Sequence, residues 1–155
     1  MAARKRLNPE YLAGLYHIVN TSPFPSHLPM RLVAMEWDRA VVELEVAACH
    51  LQPFGIVHGG VIATLVDTAT FWAAFGSLPE DSGLVNVDLK LNYLSAVKSG
   101  RLTATGRLIR GGRTISYAEA GIVGPDGEMV AHGTSTLMAL PGKGLSGGAG
   151  KFITW

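Results

Sequence analysis

The chain has 155 residues, 48% of them hydrophobic and 16% charged, with a net charge of +1 at pH 7. That length fits one domain able to bury roughly 70% of the surface its unfolded chain exposes. The near-neutral charge leaves no broad footprint for nucleic acid, the lone Cys49 excludes an intrachain disulfide and a Cys-based zinc site, and no apolar run reaches the length of a membrane span.

"MAARKR" is basic and leads into "LNPEYLAGLY" without the apolar core of a secretory signal. The expectation is a soluble, cytoplasmic protein with neither nucleic acid nor membrane as partner. In "NPEYLAGLYHIV", Asn8 stands at a helix N-cap and Pro9 at the first helical position. Leu12, Leu15, Tyr16 and Val19 recur at helical spacing, which predicts a short amphipathic helix. "TSPFPSHLP", Thr21 to Pro29, holds three prolines and is expected to be irregular.

"MRLVAMEW" and "AVVELEVA" bracket Asp38-Arg39, and the second alternates Val42, Leu44 and Val46 against Glu43 and Glu45. This predicts a hairpin with one wet face. "ACHLQPFGIVHGG" reads as a loop, and a helix follows from about Val61 to Phe75. Beyond Gly83 the period of two returns in "LVNVDLKLNYLS". "GRLTATGRLIR" and "RTISYAEAGIV" bracket Gly111-Gly112, a hairpin signal. The next segment bends at Pro125-Asp126-Gly127 and returns as a last strand. The tail, 141–155, is glycine-rich and expected to be mobile, with Phe152, Ile153 and Trp155 as residues able to dock. The order is helix, two strands, one long apolar helix, four strands. It predicts one α+β domain over 1–155, core about 11–140, in which an antiparallel sheet wraps one central helix.

That helix poses the functional question. From Val61 to Phe75 apolar residues occupy every face, the pattern of a helix buried all round, yet Asp67 sits in the middle. Positions i±3 and i±4 are Ala63, Thr64, Thr70 and Phe71, so no cation on the helix pairs with it. A carboxylate in such surroundings is costly, and its pKa is expected to rise. It is either a structural acid bonded to Thr64, Thr70 or a backbone group, or a chemical one. At the helix start stands "HGG", His58-Gly59-Gly60. Free N–H groups of a first turn, the positive end of the helix dipole and the missing side-chain bulk suit an oxygen that gains negative charge. The same glycines also suit a tight entry into the helix, and His58 a structural role.

Gly59 and Asp67 are eight residues apart, about 12 Å along a helix axis. One copy cannot bring both to one carbonyl. Two antiparallel copies about a twofold axis can, giving two equal sites per dimer.

The pattern "HGG", six residues, Asp67, then Thr68-Ala69, together with "NVDLKLNYLSAVKSG" after the helix, resembles the hotdog-fold acyl-CoA thioesterases. The likeness runs from about Tyr11 to Leu140 and is greatest to the phenylacetate-degradation and 4-hydroxybenzoyl-CoA types. It implies a hotdog fold and hydrolysis of a small aromatic or medium-chain acyl-CoA, without metal or cofactor, by a homodimer at least, with a homotetramer expected. By position, Asp67 matches the acid that attacks the thioester or activates water. Gly59 matches the N–H that polarises the carbonyl, His58 the histidine bracing the loop, and Gln52 an amide beside the thioester. Asn86 falls where the family often has Ser or Thr. Gly60 and Phe71 fall at the substrate, Phe71 as acyl-pocket lining or plain core. Lys98, Arg110 and Arg113 are the basic candidates for the CoA phosphates, or solvated turn charges. Hotdog dehydratases, with a catalytic His, and non-catalytic acyl-CoA sensors are the alternatives.

Other motifs fail on context. "GKGLSG" follows a proline and opens no helix. Ser146 in "GLSGG" has no Asp, Glu or His after it. "GAGK" lacks the first P-loop glycine, and Phe152 stands in place of Ser or Thr. His17, His27, His50 and His132 have no metal-ligand spacing, and Cys49 reads as packing.

Overall fold

In the computed structural model, which describes residues 5–154, the chain runs β1 (Lys5–Leu7), α1 (Pro9–Thr21), α2 (Pro23–His27), β2 (Met30–Met35) and β3 (Arg39–Glu45). A 3-10 turn at Ala48–His50 leads to the long helix α3 (Gly59–Phe75). Then come β4 (Ser82–Tyr93), β5 (Arg101–Arg110), β6 (Ile115–Val123), β7 (Met129–Pro141) and β8 (Phe152–Thr154). Six strands form one antiparallel sheet in the order β2-β3-β5-β6-β7-β4, and all six touch α3. The α+β wrap around one helix is thus the one the alternation predicts.

Close approach of helix and sheet follows from small residues beneath α3. Ala104, Ala118, Ala120 and Ala131 are fully buried. Gly106 lies so near the Ala69 carbonyl that a Cβ there would overlap it. On the helix side Leu65, Val66, Ala69 and Ala73 are fully buried. Burying each larger aliphatic contributes about 1.5–3 kcal/mol.

Three expectations are corrected. The proline-rich stretch is partly helical: Pro23 and Pro25 lie in the first turn of α2, where backbone N–H groups lack intrahelical partners, so the missing donors cost little. Helix α3 starts two residues early, at Gly59, and in the single chain it is not buried all round. Ala63, Thr64, Asp67, Thr68 and Phe71 are only half-buried, a stripe along one side. The tail is not loose. β8 pairs antiparallel with β1, Phe152 against Leu7 and Ile153 against Arg6, and Lys151 is fully buried. Trp155 and residues 1–4 of "MAARKR" lie outside the described residues. The Gly111-Gly112 hairpin exists, but its loop spans 111–114 and neither glycine has a positive φ. Asn8 caps α1 as expected, accepting from Glu10 N at 3.0 Å. No described helix is long and apolar enough to cross a membrane.

Candidate active site

His58 is the N-cap of α3. Its Nδ1 accepts the Gly60 N–H at 2.8 Å, which the absence of a Cβ on Gly60 permits: one there would meet Nδ1 at 2.9 Å. The His58 carbonyl accepts from Val61 N at 2.9 Å and, more weakly, from Ile62 N at 3.4 Å. Of the four donors that the helix start leaves over, three are taken within the chain: His58 N by the His50 carbonyl at 2.8 Å, Gly60 N by His58 Nδ1 and Val61 N by the His58 carbonyl. No hydrogen bond among the described residues takes the fourth, Gly59 N–H. It sits at the positive end of a 17-residue helix. His58 caps the helix start, and the Gly60 N–H is taken up by that cap.

Gly59 opens onto a cleft of about 390 Å³ that Gln52, Ile62, Tyr93, Val97 and Val130 also line. Gln52 Oε1 accepts Phe54 N at 2.6 Å, holding the amide in the turn before the helix. Tyr93, at the end of β4, donates from Oη to the Gly59 carbonyl at 3.1 Å. Sequence reasoning saw Tyr93 only as the last apolar position of an alternating strand. Register places it over the helix start, and no local signal carries that.

Asp67 lies two turns further on and opens onto a different cleft, of about 340 Å³. Ile18, Val19 and Phe24 wall it on one side, and Met30, Phe71 and Trp72 contribute from β2 and α3. Burial raises the Asp67 pKa above the ordinary carboxylate value, and a hydrogen bond from Asn86 opposes that rise. Asn86 Nδ2 donates to Asp67 Oδ1 at 2.5 Å and to Ser135 Oγ at 3.1 Å, and Ser135 in turn donates to the Asp88 carbonyl at 3.0 Å. A bulge in β4 between Asn86 and Asp88 turns Asn86 toward the helix, as bulges beside functional sites do. Neither threonine bonds the Asp67 carboxylate: Thr64 donates to the Gly60 carbonyl, and Thr70 to the backbone carbonyls of Val66 and Asp67. Phe71 lines this cleft and packs edge-on to Trp72 at 4.9 Å.

The structure does not bring the basic candidates to either cleft. Lys98 follows Val97 at the rim of the first but does not line it. Arg110 lines a separate hollow with Ser116 and Tyr117, and Arg113 is exposed in the loop 111–114. His50 is locked by Ala47 N and the Leu28 carbonyl. Among the described residues no group of His, Cys, Asp or Glu is arranged to hold a metal.

One protomer thus presents an unengaged N–H in one cleft and a poised carboxylate in another. Residues 54–131, the stretch holding "HGG", Asp67 and Asn86, match the thioesterase superfamily. The chain is 33% identical over 90 residues to the 1,4-dihydroxy-2-naphthoyl-CoA hydrolase of Listeria monocytogenes, covering 58% of this chain and 73% of that one. It is 37% identical over 106 residues to a Caenorhabditis elegans protein carrying an esterase name, covering 67% of this chain and spanning 62% of that protein's length. The crystal structure of a Haemophilus influenzae thioesterase superposes with a TM-score of 0.76 at 28% identity, over 82% of this chain and 88% of that one. The helix wrapped by an antiparallel sheet agrees with these matches, and the chain belongs to the thioesterase superfamily, as a hotdog-fold thioester hydrolase.

Proposed function

We propose that this protein hydrolyses acyl-CoA thioesters with a small aromatic or medium-chain acyl group, at sites shared between two protomers. One observation carries the reading: Gly59 N–H and Asp67 open onto different clefts of one chain, about 12 Å apart along the helix. An antiparallel pair of α3 helices about a twofold axis joins the Gly59 cleft of one copy to the Asp67 cleft of the other. The half-buried stripe of α3 supplies the contact face. The Gly59 cleft, which Gln52 and Ser95 also line, takes the thioester and pantetheine arm, and the still more apolar Asp67 cleft takes the acyl group.

The chemistry follows from the two ends. The thioester oxygen sits on Gly59 N–H, where the dipole and the amide stabilise the charge that develops on it. Ionised Asp67 from the other copy takes a proton from water as that water attacks; alternatively it attacks directly, expelling the thiolate to leave a mixed anhydride that water then cleaves, one proton of that water going to the thiolate. The C–S bond breaks and the proton passes to the departing thiolate, giving acid and CoA. Asn86 holds the carboxylate, and Gln52 stands beside the thioester. Lys98 is the basic residue next to the Gly59 cleft, so CoA phosphates reach Arg110 or Arg113 only from a further copy. A dehydratase would need the His58 ring free, whereas its Nδ1 is engaged by Gly60 N–H.

The test is a panel of aryl- and alkyl-CoA esters with released thiol measured. Turnover of some esters that Asp67→Asn lowers at least about 100-fold supports the reading. Tight binding without turnover would replace it with a sensor, and an enoyl product with a dehydratase.

A further inference from the structure

The Asp67 cleft takes part of its wall from the far end of the chain. Asp67, Thr68, Phe71 and Trp72 come from α3, inside the stretch that matches the family, but Leu145 comes from the segment after β7, outside it. A glycine-rich segment has no intrinsic reason to form a fixed wall. This one is fastened on both sides of Leu145. Before it, Gly144 N donates to the Asp81 carbonyl at 2.9 Å. At it, Tyr11 Oη donates to the Leu145 carbonyl at 2.9 Å. After it, Gly147 packs directly on Gly14 and Tyr11 of α1, with no room for a Cβ on either glycine.

The last anchor is Lys151. Fully buried, it donates from Nζ to the Phe75 carbonyl at 2.7 Å and the Leu78 carbonyl at 2.8 Å, and its charge lies 4.0 Å from the centre of the Phe75 ring. A cation there complements the negative end of the α3 dipole and satisfies the last helix carbonyl, Phe75, together with that of Leu78 in the turn beyond. Its backbone is bonded to Glu80 Oε1 and Asn8 N, and β8 then pairs with β1. The tail is therefore a strap tied to the C-terminal end of the helix that carries Asp67.

We propose that this strap is part of the substrate site, and that Leu145 sets the size of acyl group the Asp67 cleft admits. The proposal rests on the reading of that cleft as the acyl site. Leu145 is 38% exposed and lines the cleft, so it is a wall rather than core. Discrimination in an apolar pocket runs about 10–200-fold per methylene. Changing a leucine to alanine or tryptophan is expected to move the acyl optimum.

The experiment measures kcat/KM by thiol release over straight-chain esters from butyryl- to palmitoyl-CoA, plus phenylacetyl-CoA. Wild type, Leu145→Ala and Leu145→Trp are compared, with thermal melts to verify folding. The expected result is opposite shifts: Leu145→Ala raises the ratio of longer to shorter esters about 10-fold, and Leu145→Trp lowers it. Profiles that superimpose on wild type in both variants overturn the role of the strap and leave the thioesterase reading standing. A wild type inert toward every ester overturns that reading, and this inference with it.

Discussion

Asn86 Nδ2 sits 2.5 Å from Asp67 Oδ1, across the contact between β4 and α3, and also donates to Ser135 Oγ and, more weakly, to the Asp67 carbonyl. The bond favours the ionised carboxylate, and burial favours the neutral acid; burial is the larger effect. The pKa of Asp67 is therefore raised, but less than it would be without Asn86.

A pH profile reads this balance. If Asp67 acts ionised, kcat/KM falls on the acid side with a midpoint above the ordinary carboxylate value. In Asn86→Ala the opposing bond is gone, so the midpoint moves to higher pH. An acid limb that stays in place in Asn86→Ala, in an active and folded variant, would separate Asp67 from the titration.

The same shift makes a stability prediction. With the folded pKa above the unfolded one, the folded chain holds a proton that the unfolded chain has released. The stability tied to that proton is present below the ordinary carboxylate pKa and lost as pH rises through the raised value. At pH 7 an ionised Asp67 costs stability. Asp67→Asn is expected to melt at or above the wild-type temperature while losing activity. A clear drop in Tm at pH 7 would make Asp67 a structural acid.

His58 tests the helix start. Removing an N-cap costs about 1 kcal/mol, roughly 2–4 °C in Tm for a chain of this size. His58→Ala is expected to show that loss and to lower kcat through a disordered Gly59 amide. His58→Asn, which keeps a capping acceptor, is expected to recover most of both. Failure of Asn to rescue turnover while it restores Tm would give the imidazole a chemical task.

Lys151 carries the reverse sign. Burial lowers its pKa from 10.5 to about 8, with Glu80 pulling the other way. Between those values the unfolded chain binds the extra proton, so stability rises with pH across that window. Plotted as Tm against pH, wild type is expected to gain on Lys151→Met from about pH 8 toward 10.5. Parallel curves would show that the buried ammonium does not titrate there.

Much of the architecture was legible from local pattern. The alternation at Val42–Val46 and at Val85–Tyr93 marked strands, Asn8-Pro9 marked a helix start, and Asp67 stood out because no cation within a helical turn could pair with it. What escaped was long-range. Tyr93 meets Gly59 through sheet register, and the Asn86 contact depends on a bulge that no composition announces. The strap was misjudged because glycine content signals flexibility. Lys151 and the β1–β8 pairing that fix it join residues at opposite ends of the chain. The half-open stripe on α3, Ala63, Thr64, Asp67, Thr68 and Phe71, escaped because the apolar residues spread round the helix read as burial on every side.

The account rests on a shared site, and mixed oligomers measure it directly. Gly59→Pro deletes the amide proton at the first helical position, where proline is well tolerated, and His58 already has the extended backbone a following proline needs. Gly59→Pro and Asp67→Asn are each expected to be inactive alone. Co-expressed under two affinity tags, random dimers regain one intact site in each mixed pair, about a quarter of wild-type activity overall. Activity of the tandem-purified mixed dimer near half of wild type is the predicted result; a mixed dimer as inactive as its parents would place both groups in one chain and contradict the account.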